Sequence, residues 1–436
     1  MIVRGKEIIK DGIPDIKEIK DCINEFVDGL DRLNRLKDYF HNKNAILDRQ
    51  RQKHLPNNRL VHSYAQYIVG VASGYLLGEP VKYTSVENID KLIEAFKSCD
   101  VASIDCELAE DAGVYGVATE IVYLDEDGNI KCAKIDRLNA FVVYDDTVEA
   151  KPIIGIRWVK SRKGDINVFV YTDKNVFTYE GKDLRDFDLT ATEKHYFNAV
   201  PIIEYWNNGK EEGDFEPIIS LIDAYDRLQS DRINDKGQFV DSVLMLYGIR
   251  ELAPPEDEND TRSTQQRISE DKVLALPQDA RAEYLYKQLS EADVEILRKA
   301  LQSDIHKFSR VPDLSDENFS GNTSGVAMKY KLFGLEQLTK TKERWFTEGL
   351  KQRLRIFFNL LTLKGQRIAD PKSIAISFSR SLPVNELEVA QTIRTLSGMV
   401  PEELLIAQVP FVNDTEQALK LLEEERQNQK ETVDEV

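Results

Sequence analysis

The residues able to do chemistry in this chain are few and far apart. Five histidines stand singly at positions 41, 54, 62, 195 and 306. There is no HExxH pair to hold zinc, no GxSxG elbow, no Walker A loop, no GxGxxG turn and no EF-hand pattern. Cys22, Cys99, Cys106 and Cys132 form no CxxC pair. Scattered free thiols of this kind suit a reducing cytoplasm. The acid pairs Asp145-Asp146 and Asp257-Glu258 fall in turn or loop contexts with no histidine or nucleophile beside them, and read as solvation. One stretch has the composition to touch phosphate, "SGNTSG" at 320–325. It lacks the lysine that would meet a β-phosphate. Instead it offers weak, renewable hydrogen bonds on a backbone with wide φ/ψ freedom. Lys329 and Lys331 follow it directly. Nothing in these residues points to catalysis, a metal or a cofactor.

The elements around this stretch carry a divided charge. The 436-residue chain has a formal charge of −18, which argues against non-specific coating of nucleic acid. Yet residues 326–365 hold nine Lys/Arg and three Glu, a net of +6. Residues 384–436 hold four Lys/Arg and twelve Asp/Glu, a net of −8. A solvated helix face and an acidic tail would account for both. The first residues have no apolar core of a signal peptide, and the longest apolar-rich run, "YIVGVASGYLLG", is short of the about 20 residues a membrane span needs. The expectation is a chain without membrane or export signals, long enough for two or three modules.

Apolar spacing predicts helix over 14–41, then a basic polar segment, then a small-residue helix in "SYAQYIVGVASGYLLGEPVKY" stopped at Gly78 and Pro80. "NIDKLIEAFKSC" reads as another helix. Residues 104–212 read as an antiparallel β-rich region, opening on a hairpin around Asp127-Gly128. Helix returns over 216–247. A proline-paired, charged stretch follows, "ELAPPEDENDTRSTQQR", with "KVLALP" and "AEYLYK" as short strands expected to pair with a neighbouring subunit. A helix over 291–311 leads to the loop. Residues 326–365 would span about 60 Å as one helix. Its apolar face is traced by Leu332, Leu335, Leu338, Phe346, Leu350, Leu354, Phe357 and Leu361, with Gly334 and Gly349 as possible kinks. A strand in "SIAISFSRSLP" and an acidic helical C-terminus complete the chain.

In this order, "SYAQYIVGVASGYLLGEPVKY", "VPIIEYWNN", "DFEPIISLIDAYDRLQSDRINDKGQFVDSVLMLYG", "SGNTSGVAMKYKLFGLEQLTKTKERWFTEGLKQRL" and "FSRSLPVNELEVAQTIRTLSGMVPEELL" resemble the portal proteins of siphovirus-type tailed bacteriophages and related prophages. The resemblance covers about residues 40 to 425. It implies an α+β portal-type fold: a wing at 1–215, a first stem helix at 216–247, a small α/β clip at 248–290, and a second stem helix at 291–311. A tunnel loop at 312–325, a long wing helix and strand at 326–382, and a short crown at 383–436 follow. It further implies a ring, a dodecamer in the capsid, at one vertex of the virion, assembled in the host bacterial cytoplasm. Double-stranded DNA would pass through its channel. Terminase large subunit, a head-completion or adaptor protein, and the major capsid and scaffolding proteins would be its partners.

On this reading the channel residues are Asp313, Asp316, Glu317, Asn318, Ser320, Asn322, Thr323, Ser324, Lys329 and Lys331. The acids would keep the loop from sticking to phosphates, and the lysines would offset repulsion by an acidic ring. The lysines could equally pair with a neighbouring subunit's carboxylates. The clip would meet its partners through Pro254, Pro255, Glu256, Asp257, Arg262 and Arg267. A DNA-processing enzyme or motor subunit is the alternative, weakened by the missing nucleotide motif.

Overall fold

The structure is a computed structural model. It describes residues 1–52, 55–162, 164–240, 243–247, 281–285, 291–315, 325–380, 386–406, 409, 412 and 418–422. The chain divides into two compact units. One holds Met1–His41, Tyr64–Pro217 and His306–Val436, and the other holds Asn42–Ser63 and Ile218–Ile305. The expected α+β class holds.

The first unit is built on two larger sheets, with two small two-stranded pairs beside them, Ile9–Lys10 with Ile13–Pro14 and Lys82–Thr84 with Ala375–Ser377. The larger runs in the order Ile2–Arg4, Ala140–Asp145, Pro152–Lys160, Ile166–Tyr171, Asn175–Asp183, Asp186–Lys194. It is antiparallel apart from the first pair. The smaller pairs Val117–Leu124 with Ile202–Trp206 on one side and Ile130–Ile135 on the other. Its expected hairpin is present. Gly128 takes φ 76, and Asp125 accepts from the Asn129 amide at 2.6 Å.

The long helix Phe333–Leu363 packs on this smaller sheet. Leu335, Phe346, Leu350, Leu354, Phe357 and Leu361 are buried, as their spacing predicts. All of these but Leu335 meet Leu76, Leu108, Val122, Ile203 and Tyr205 in one apolar core. Gly349 lets the helix approach, since a Cβ there would lie 2.5 Å from the Tyr205 ring. Gly349 is therefore a packing contact within the unbroken helix Phe333–Leu363.

Several elements differ from the sequence reading. The helix expected over 14–41 is two, Ile16–Asp28 and Leu30–Phe40, separated at Gly29. Val101–Tyr115 is a helix inside what reads as the start of the β region. Its core-facing positions include Asp105, Ala109, Ala112 and Gly113, so its apolar periodicity is weak and the sequence signal was hidden. The basic helix is interrupted at the buried Leu332, giving Gly325–Lys331 and Phe333–Leu363.

In the second unit, the helix expected over 216–247 ends at Val240. Val243–Tyr247 is a strand, opened by a Val and closed by a Tyr that suit one, paired antiparallel with Arg281–Leu285. The "AEYLYK" strand thus has a partner within its own chain. "KVLALP" lies outside the described residues. The polar segment 42–63 is laid along the helix Ile219–Val240 by a regular ladder. The amides of Asn58, Leu60 and His62 donate to the side chains of Asn234, Ser230 and Asp226, at 2.7, 2.9 and 2.9 Å. Two residues of extended chain advance about 6.6 Å and four helical residues about 6 Å, so the two spacings match.

Candidate functional site

The loop that the sequence singles out is described at both of its roots. On the near side, the helix Glu291–Ser309 stops where Arg310 adopts φ 61. The Val311 amide then donates to Ser309 Oγ at 3.3 Å, and His306 Nδ1 lies 3.0 Å from the Val311 carbonyl. Since that carbonyl can only accept, His306 Nδ1 carries the proton. The His306 ring stands edge-on to Tyr64 and Tyr67. Tyr67 Oη donates to the Pro312 carbonyl at 2.8 Å and accepts from the Leu314 amide at 2.8 Å.

Asp313 is not presented outward as a bare charge. Its carboxylate accepts from the Ser315 amide at 3.0 Å and the Ser315 hydroxyl at 2.5 Å, and it lies 3.8 Å from His306 Nε2. Asp316, Glu317, Asn318, Ser320, Asn322, Thr323 and Ser324 lie outside the described residues, as do Pro254, Pro255, Glu256, Asp257, Arg262 and Arg267.

On the far side, Lys329 and Lys331 are exposed on the short helix. The long helix then begins beside Arg310, whose carbonyl would sit 3.5 Å from a Cβ at Gly334. Glu336, in the first turn, accepts from Tyr75 Oη at 2.9 Å and Arg380 Nε at 3.2 Å. Hydrogen bonds from these two hold its carboxyl below the usual range against the opposing effect of burial.

The positive charge of the long helix is largely spent inside the chain. Lys342 is buried against Asp214, which also accepts from Asn207 Nδ2 at 2.9 Å. Arg353 has no exposed surface. Its Nε meets both oxygens of Glu120 at 3.0 Å, and its Nη1 meets Asp105 at 2.6 Å. Tyr205 Oη donates to the same Glu120 at 2.7 Å. Lys340 pairs with Glu336 at 3.5 Å and Lys351 with Glu348 at 2.8 Å, while Lys364 donates to the Gly128 carbonyl at 2.6 Å. The +6 excess is therefore no uniform basic face. Among the described residues its exposed portion next to the loop is Lys329 and Lys331.

Sequence reasoning missed the acids Asp105, Glu120, Glu204 and Asp214 that neutralise interior cations. A signal existed for Glu120, an acid inside the apolar run "GVATEIVY". Such a residue in a buried strand must find a cation or neutralise. No group of three or more His, Cys, Asp or Glu among the described residues is placed to hold a metal ion. No described helix is long and apolar enough to cross a membrane.

The family model described as phage portal protein, SPP1 Gp6-like, matches residues 19–432. The chain belongs to this phage portal protein family. The portal protein of Clostridium phage phiCD119 is 24% identical over 435 residues, covering 91% of this chain and 93% of that protein. The portal protein of Bacillus phage SPP1 is 24% identical over 391 residues, covering 85% of this chain and 76% of that protein. This portal protein is accordingly a structural component of the virion, an oligomeric passage for DNA at a capsid vertex, and not an enzyme. Its scarcity of catalytic groups fits that role.

Proposed function

We propose that twelve copies of this chain form the ring at one capsid vertex, with the 312–325 loop of each copy projecting into the channel that double-stranded DNA follows. Terminase large subunit docks on the 248–290 clip during packaging, and a head-completion or adaptor protein takes its place afterwards. Major capsid and scaffolding proteins surround the ring, which assembles in the host bacterial cytoplasm. The remaining parts are the wing (1–215 and 326–382), the stem helices (216–247 and 291–311) and a short crown (383–436).

One observation carries the channel reading. The loop is held at both roots by buried or hydrogen-bonded groups, while the exposed cations close to it among the described residues are few, Arg310 before it and Lys329 and Lys331 after it. Moving DNA demands weak phosphate affinity, because many tight contacts would stall it. Two lysines per subunit beside a loop of Ser, Gly, Asn and Thr meet that demand better than a continuous basic groove would. Electron microscopy of the purified protein tests the assembly. Rings with a central opening wide enough for duplex DNA are expected. A strictly monomeric protein at high concentration across several salts would overturn the proposal.

A further inference from the structure

We infer that Tyr67 is a positioning residue for DNA passage: its hydroxyl, bound to the Pro312 carbonyl and the Leu314 amide, fixes the 312–314 turn that leads into the 312–325 segment. The inference rests on the proposed reading that this segment meets DNA.

Tyr67 lies on the helix Tyr64–Leu77, whose Ala65, Ile68, Val69 and Ala72 are buried. For packing alone a phenylalanine would fill the same space. The hydroxyl is what needs explaining, and both of its partners belong to the loop root. They sit two residues apart, so 312–314 cannot turn without breaking one bond or the other. Burial raises the Tyr67 pKa, which keeps the hydroxyl protonated and able to donate as well as accept. His306 braces the same turn through the Val311 carbonyl and the edge of the Tyr67 ring.

The other root is tied to the same helix. Tyr75, two helical turns further on and about 12 Å away along the axis, donates to Glu336. Both ends of the chain between Pro312 and Glu336 are thus referred to one rigid, buried element. Any force that DNA exerts on this stretch is resisted at fixed posts, and the loops of a symmetric ring start from equivalent positions.

Tyr67→Phe removes both bonds and preserves the ring's shape. The full-length variant should assemble as wild type. The Leu314 amide should exchange with deuterium about tenfold faster, as expected for one lost hydrogen bond. DNA packaged per head by terminase should fall several-fold. A merely structural role would not lower packaging in rings that form and melt normally. Unchanged exchange at Leu314, or faster exchange with wild-type packaging, would overturn the inference. Should the variant not assemble alone, rings doped with wild-type subunits give the same readout: packaging that falls with the variant fraction supports it, and flat packaging overturns it. Ser320→Pro, measured in parallel, separates the two readings. If Ser320→Pro impairs packaging and Tyr67→Phe does not, the positioning role fails alone. If neither has an effect, the loop–DNA reading fails with it.

Discussion

Arg353 is the largest side chain with essentially no exposed surface, and its surroundings set the strongest constraint at the scale of single residues. One guanidinium serves two buried carboxylates, Asp105 and Glu120. Burial pushes the Asp105 carboxyl up to about 6, with Arg353 opposing and Glu120 adding. Arg353→Met leaves two acids in the core without a cation, and should destabilise the protein by about 3–5 kcal/mol in urea unfolding. Adding Asp105→Asn and Glu120→Gln should recover most of that loss; no recovery would mean that Arg353 acts through packing instead. Burial also lifts Asp111 to about 6 against the pull of Lys134. An unfolded aspartate titrates near 3.9, so the native state holds extra protons between about pH 4 and 6. The stability these two acids contribute is complete below about pH 4 and is lost as pH rises through 6. His195, whose pKa burial lowers, works in the opposite direction. Between pH 5 and 7 the wild-type unfolding midpoint should therefore fall more steeply, or rise less, than that of Asp111→Asn. Parallel midpoints would exclude Asp111 as a contributor.

At the scale of elements, two matched surfaces decide the architecture. The ladder between 58–62 and the helix Ile219–Val240 requires acceptors four residues apart, at Asp226, Ser230 and Asn234. Ser230→Ala leaves the Leu60 amide without its acceptor and should cost about 1–3 kcal/mol locally. Hydrogen exchange would show it as faster exchange confined to Asn58, Leu60 and His62. Exchange that is unaltered there, or raised over the whole chain, would deny the ladder its local role. The second surface is the contact of Gly349 with Tyr205, a ring held by its bond to Glu120 and unable to swing aside. Gly349→Ala should overpack this contact and lower stability by about 1–3 kcal/mol, read from the urea midpoint. The ladder's stripe was visible in the sequence as three polar residues on one face, although nothing there said what would lie on it. The Gly349 contact was not legible, because a glycine in a helix looks the same whether it bends or packs.

At the scale of the whole molecule, the proposed ring and channel place charge where it matters. Reversing Lys329 and Lys331 together to Glu removes the two exposed lysines that follow the loop. Rings should form normally, DNA packaging should fall several-fold, and the defect should shrink as salt screens the charge. Rings that dissociate would instead assign these lysines to a neighbouring subunit's carboxylates. Deleting 254–265 should leave wild-type rings in electron micrographs and block terminase-driven packaging. Normal packaging by that deletion would remove the clip from its proposed role.

The sequence by itself determined the α+β class, most of the buried face of the long helix and the portal resemblance. These depend on local apolar spacing and on phrases read in order along the chain. Only the tertiary structure decided where the charges go. Lys342 and Arg353 read as part of a basic face, yet each is neutralised by acids more than a hundred residues away in sequence. Asp313 reads as a charge with no partner close in sequence, and in the fold it accepts from Ser315 and lies beside His306. Val243–Tyr247 continues a helical pattern, yet a strand partner at Arg281–Leu285 supplies hydrogen bonds that override it. In each case the deciding partner is distant in the chain, and a group's charge or conformation is set by that partner and by exclusion of water.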